Sequence, residues 1–179
     1  MTWQLASAQY AALTRSGRGF TSMQLQYNLL YREEERDMLP FCGQQGLGVM
    51  VFSPLARGWL VNADGSDPAL TERERVRAQQ NAKARFLYGS EADHAMRDRL
   101  LTLAGRRGLP PGRLALAWLR ARPHVTSIIV GALEPKHLDE AVASLDVELS
   151  AEETLYLDEA YVPGPVKPDG LAQVLQGVK

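Results

Sequence analysis

Val49-Met50-Val51-Phe52 is a run of four apolar residues, two of them β-branched, that breaks at Ser53-Pro54. Such a run predicts a short strand buried on both faces, as in parallel sheets. Proline has no N–H for a strand ladder, so the strand stops at or before Pro54. The chain then leaves a strand's carboxyl end as a loop, which is where parallel α/β proteins hold ligands. The residues alone leave two readings open. Phe52 is either core or a flat face for a planar ligand, and Ser53 either a loop cap or a hydrogen-bonding group at that edge.

A chain of 179 residues can bury a real core and suggests one domain. Lys and Arg total 20 against 21 Asp and Glu, which gives no general attraction to nucleic acid or an anionic membrane. Cys42 stands alone, which excludes an internal disulfide and fits a reducing compartment. No apolar run approaches the roughly 20 residues needed to cross a bilayer. Met1-Thr2-Trp3-Gln4-Leu5 lacks the basic-then-apolar pattern of a signal peptide. The expectation is a cytoplasmic protein with no membrane or nucleic-acid partner.

Trp3, Ala6, Tyr10 and Leu13 fall at helical spacing and predict an amphipathic helix over 2–15. Phe20 to Tyr27 alternates as a strand, with Gln24 and Gln26 on one face and Met23 and Leu25 on the other. Arg32 to Asp37 reads as a charged, solvated helix start, the helix running to about Gln45 with a kink or break at Pro40. Residues 53–90 read as a long irregular segment with a turn cluster at 62–68 and a basic run from Arg73 to Arg85. Helices follow from Glu91 to Gly108 and, after Pro110-Pro111, from Leu114 to Ala121; the second is apolar nearly all round and so buried. Val125 to Val130 is the strongest strand, closed by Gly131. Pro135 opens a helix with Leu138, Ala141, Val142 and Leu145 on one face, and Ser150-Ala151-Glu152-Glu153 is a capping box for the last helix. Pro163, Pro165, Pro168 and Gly170 mark an extended tail.

Strands alternating with helices imply parallel βαβ units with right-handed crossovers. Three strands in sequence order would place the helices on one side. The other face and two strand edges would then be bare, so either more chain or a partner is expected.

Most chemical signatures are absent: there is no G-x-G-x-x-G opening a helix, no P-loop, no H-E-x-x-H, no C-x-x-C and no G-x-S-x-G. His94, His124 and His137 are too far apart in sequence for a local metal site, and Cys42 reads as a packed thiol. The turn from Gly131 into the helix at Pro135 exposes N–H groups that suit a phosphate, with Lys136 and His137 adding positive charge and Glu134 opposing it.

Four stretches together resemble the aldo-keto reductases, in the bacterial branch related to the potassium-channel β subunits. They are Tyr27-Asn28-Leu29-Leu30-Tyr31-Arg32-Glu33-Glu34-Glu35-Arg36, Phe52-Ser53-Pro54-Leu55-Ala56-Arg57-Gly58, Leu114-Ala115-Leu116-Ala117-Trp118-Leu119 and Val125 to Ala132. The resemblance implies an α/β fold, the C-terminal half of a (β/α)8 TIM barrel with about three parallel strands and covering helices. Residues 1–165 would be the partial barrel and 166–179 the tail. The family reduces aldehydes and ketones with NADPH, and its catalytic aspartate, tyrosine, lysine and histidine match nothing here. None of Tyr10, Tyr27, Tyr31, Tyr88, Tyr156 and Tyr161 corresponds to the proton donor.

What the resemblance implies for this chain is much of a cofactor site. Gln24 would bond the nicotinamide amide and Phe52 would stack on its ring. Ser53, Pro54, Leu55 and Arg57 would follow the pyrophosphate. Arg77 would grip the adenosine phosphate, with Gly131, Leu133, His137, Glu140 and Ala141 at the adenosine end. A basic residue is common where Glu134 stands, and asparagine where Ala141 stands; these departures weaken a 2′-phosphate preference, and NADP, with NAD possible, is what the family resemblance implies. The expected protein is a truncated oxidoreductase that takes a small carbonyl substrate only when its barrel is completed, and is inactive alone. The alternative is a non-catalytic nucleotide-binding half-barrel that acts as a regulatory or partner-binding subunit. A nucleic-acid binder built on Arg73 to Arg85 lacks interleaved aromatics.

Overall fold

In the computed structural model, which describes residues 2–62 and 70–164, helix α1 (Thr2–Ser16) leads into strand β1 (Ser22–Gln26). A 3-10 turn at Glu33–Glu35 precedes α2 (Met38–Gln45), β2 (Gly48–Phe52) and the short α3 (Trp59–Asn62). Four helices follow: α4 (Glu72–Gln80), α5 (Ala82–Leu87), α6 (Glu91–Arg107) and α7 (Pro111–Arg120). The described chain closes with β3 (Val125–Ile128), α8 (Pro135–Ala143) and α9 (Ala151–Asp158). The turn cluster at 63–68 and the tail at 166–179 lie outside the described residues.

The three strands are parallel and lie in sequence order, β1-β2-β3. Met23, Val49 and Val125 share one row of the register, and Leu25, Val51 and Ile128 the next row on the same face. This face meets the helices. Gln24, Met50 and Ser127, with Gln26 and Phe52, take the other face. Only one face of β2 is therefore fully buried: Val49 and Val51 are 0% exposed, while Met50 and Phe52 are half-buried. The expectation of burial on both faces fails because the second face opens on a cleft and on solvent. β3 is shorter than its β-branched run and carries a bulge at Thr126, whose hydroxyl accepts from the Val49 N–H at 3.1 Å. Among the described residues, β1 and β3 each pair on one side only.

Helix ends follow the local chemistry. α4, α6 and α9 start with capping boxes from Thr71/Glu74, Ser90/Asp93 and Ser150/Glu153. Such caps contribute about 1 kcal/mol each. α6 stops at Gly108, in the left-handed region at φ 61°, which glycine reaches without a Cβ clash. Pro40 neither kinks nor breaks α2, because it lies in the first turn, where an N–H has no helical partner to lose. The break comes earlier, between the 3-10 turn and Asp37. Nor are all the acids there solvated. Glu33 is buried and accepts from the Tyr161 hydroxyl at 2.6 Å and the Gly164 N–H at 3.0 Å.

The core lies between the sheet and α2, α6 and α7. Leu114 to Leu119 are all buried, and each large apolar side chain there contributes roughly 1.5–3 kcal/mol. Two guanidinium groups lie over the Trp118 ring, Arg32 at 5.1 Å and Arg122 at 4.3 Å from its centroid. Its Nε1–H donates to Asp158 at 2.9 Å, and Asp158 pairs with Arg32 at 2.7 Å and Arg122 at 3.0 Å. This cluster joins the segment after β1 to α7 and α9. Cys42 is fully buried, and burial with Glu34 nearby pushes its pKa up, as fits a packed thiol.

The apolar stripes read for α1 and α8 face outward. Trp3 is 69% and Tyr10 73% exposed, and α1 instead turns Leu5 and Gln9 inward. On α8 and just after it, Leu138, Val142 and Leu145 are exposed. Periodicity marked these residues as stripes; Ala141 of the α8 stripe lines a cleft, and among the described residues nothing covers the rest.

Candidate functional site

A cleft of about 580 Å³ opens at the carboxyl end of β2 and runs to the start of α8. Phe52, Ser53, Pro54, Leu55 and Arg57 form one end, and Leu133, His137, Glu140 and Ala141 the other, with Arg77 of α4 and Gly131 between them in its wall. Eleven of the twelve expected site residues thus meet in one cavity. The exception is Gln24, which lies on the exposed part of the same sheet face, outside the cleft. The volume falls in the range of small-molecule sites.

The loop after β2 is built from unusual backbone. Ser53, Ala56 and Arg57 have φ of 53°, 50° and 59°, and Gly58 has φ 92°. Each non-glycine residue there costs roughly 1–2 kcal/mol, and such strain gathers at functional sites. Buried Asn28 supplies support: its Nδ2 donates to the Ser53 carbonyl at 3.0 Å, and its Oδ1 accepts from the Leu30 N–H at 2.9 Å. Asn81 supplies the rest, donating to the Arg57 carbonyl at 3.0 Å while its own Oδ1 caps α5 at the Ala84 N–H.

Among its described residues, the segment 53–90 is largely helical. It carries α4, which forms one wall of the cleft and is fastened to α8 through Glu74. One Glu74 oxygen accepts from the Thr71 N–H and hydroxyl, both at 2.7 Å, and from Lys136 Nζ at 3.0 Å. The other lies 2.6 Å from His137 Nε2. His137 Nδ1 accepts from the Leu133 and Glu134 N–H groups at 3.1 and 3.3 Å, so that nitrogen carries no proton and Nε2 is the donor to Glu74. His137 therefore closes the start of its own helix and clips α4 to it.

Burial works against the charge on Glu74, but its hydrogen bonds from Thr71, Lys136 and His137 outweigh that and lower its pKa to about 2. A carboxyl depressed in the folded state stabilises it fully above an unfolded pKa of about 4.3, and the contribution fades as pH falls toward 2. The Glu74 side-chain carbon should accordingly show no titration step by NMR between pH 6 and 3.5, and Lys136→Met should raise its midpoint. A step near 4.3 in the unaltered chain would mean the clip does not form.

Sequence reasoning missed Glu74 and Asn81 as contributors, and read Lys136 as a charge for a phosphate rather than as a partner of Glu74. Thr71-Glu72-Arg73-Glu74 carries the capping-box pattern and could have revealed α4. Nothing local could reveal partners 62 and 63 residues away. Among the described residues no cluster of His, Cys, Asp and Glu is placed to hold a metal ion, and no helix is long and apolar enough to cross a membrane.

A cleft lined by Phe52, Arg57 and Arg77 thus lies at the carboxyl end of a parallel strand, the place where α/β folds hold ligands. The aldo/keto reductase family model matches residues 2–162. This chain belongs to the aldo/keto reductase family. It is 37% identical over 166 residues to versiconal hemiacetal acetate reductase of Aspergillus parasiticus, covering 93% of this chain and 47% of that protein. With a putative aryl-alcohol dehydrogenase of Schizosaccharomyces pombe, C977.14c, it shares 33% identity over 92% of this chain and 45% of the relative. The crystal structure of the thermostable aldo-keto reductase Tm1743 with the inhibitor epalrestat superposes with a TM-score of 0.57 at 26% identity, covering 84% of this chain and 43% of that one. The chain thus spans about half the length of the curated relatives it matches.

Proposed function

We propose that this chain is the part of a carbonyl reductase that seats the nicotinamide dinucleotide. The observation that carries this reading is the single cleft that gathers Phe52, the strained loop from Ser53 to Gly58, and the start of α8. The residues suit the cofactor. Trp59 lines the same cleft, and its buried Nε1–H has no acceptor among the described residues. Phe52 would stack on the nicotinamide, the 53–57 loop and Arg57 would hold the pyrophosphate, and Arg77 with the 131–141 segment would hold the adenosine end. When bound, the dinucleotide supplies a hydride for a carbonyl carbon.

No tyrosine lines the cleft among the described residues. The reading therefore assigns proton delivery to a barrel portion that complements residues 1–165, by the same chain or another. Its attachment side would be the bare strand edges and the outward stripes of α1 and α8. The same absence favours a second reading, a nucleotide-binding partner subunit without turnover of its own.

Titration of the purified chain with NADH and with NADPH, followed by dinucleotide emission and by quenching of Trp59, should give saturable binding. Phe52→Ala should weaken it about tenfold, the loss of one stacking face. The isolated chain should show no carbonyl reduction. Absence of binding by either dinucleotide would overturn the cofactor reading, and turnover by the isolated chain would overturn the assignment of proton delivery elsewhere.

A further inference from the structure

We propose that Glu74 turns the adenosine end of the cleft against a 2′-phosphate, so that this chain takes NADH in preference to NADPH. The proposal rests on the reading of the cleft as a dinucleotide site. A phosphate at a helix start needs unpaired N–H groups and uncommitted cations. Here the N–H groups just before α8 and the cation of its first turn are already engaged. The Leu133 and Glu134 N–H groups donate to His137, which is unprotonated at the accepting nitrogen and brings no proton there to share. Lys136, the cation on the first turn of α8, donates to Glu74.

Two further cations near that end are matched as well, and Arg77 is the exception. Arg113 is paired with Glu140 at 2.5 Å, and Arg73 lies 3.9 Å from Glu134. Arg77 has no ion-pair partner among the described residues, and it suits the charge that both dinucleotides carry. A 2′-phosphate would add up to two negative charges beside Glu74, Glu134 and Glu140, and like charges within a few ångströms repel strongly where water is partly excluded. Glu74 cannot step aside without loss, since its two oxygens already accept four hydrogen bonds from a buried position. A ribose 2′-hydroxyl, by contrast, is a donor that a carboxylate accepts, the arrangement by which acidic residues favour NAD in other dinucleotide folds.

The test is a side-by-side titration of the full 179-residue chain with NADH and NADPH, by nicotinamide fluorescence. The unaltered chain should bind NADH at least about tenfold tighter. Glu74→Gln keeps the shape of the carboxylate and removes its charge, and should shift the NADPH-to-NADH affinity ratio toward NADPH by at least about tenfold. Adding Lys136→Met to that variant should take the gain away, because the freed ammonium is what the phosphate would meet. Tighter NADPH binding by the unaltered chain, or a ratio that Glu74→Gln leaves in place, would overturn the proposal while the dinucleotide reading stands. Binding of neither dinucleotide would sink that reading and the proposal with it.

Discussion

Trp118→Ala is expected to destabilise the fold by about 3–5 kcal/mol, the usual range for deleting a large buried aromatic. Trp118 is fully buried, and the loss extends beyond its volume. Two guanidinium groups lose the face they stack on, Tyr27 loses a ring neighbour at 5.6 Å, and Asp158 loses an N–H donor. Arg32 and Arg122 would stay paired with Asp158 without the ring they both contact. Typical domains hold only 5–15 kcal/mol in all, so urea denaturation should show a much lower midpoint or no folded baseline. A change below about 1 kcal/mol would mean the cluster is not the fastening described above.

Asn28→Ala should cost about 2–4 kcal/mol and also weaken dinucleotide binding. Buried Asn28 donates to the Ser53 carbonyl and, at 3.3 Å, to the Tyr88 hydroxyl, and accepts from the Leu30 N–H. Its removal leaves buried groups unpaired at about 1–3 kcal/mol each, partly offset by relaxation. Ser53 would also lose a hold on its left-handed conformation, so the loop carrying the proposed pyrophosphate contacts would loosen. Denaturation gives the first effect, and titration at a temperature where the variant is folded gives the second. Unchanged affinity in a folded variant would show that the loop keeps its shape without Asn28.

Much of the fold was legible because it rests on local chemistry. The Val49 to Phe52 run, the Ser150 capping box and the Gly108 stop each specify an element from neighbouring residues alone. The site was legible at its β2 and α8 ends through the resemblance, which brought Phe52 and His137 into one cavity. α4 was hidden because Glu-Arg-Glu-Arg-Val-Arg-Ala-Gln-Gln has no apolar stripe; caps and ion pairs hold it rather than burial. Glu74 was hidden for a different reason: a carboxylate's partner is set by tertiary approach. The stripes of α1 and α8 were visible as stripes, but spacing does not say what covers them.

Those two stripes, with the edges of β1 and β3 that have no strand partner among the described residues, tie the stability of this chain to its surroundings. Any molecule that shields either flank in the folded state alone adds its own binding free energy to that of folding, by mass action. The melting temperature is then a property of the solution as much as of the polypeptide, rising with the supply of whatever shields the flanks.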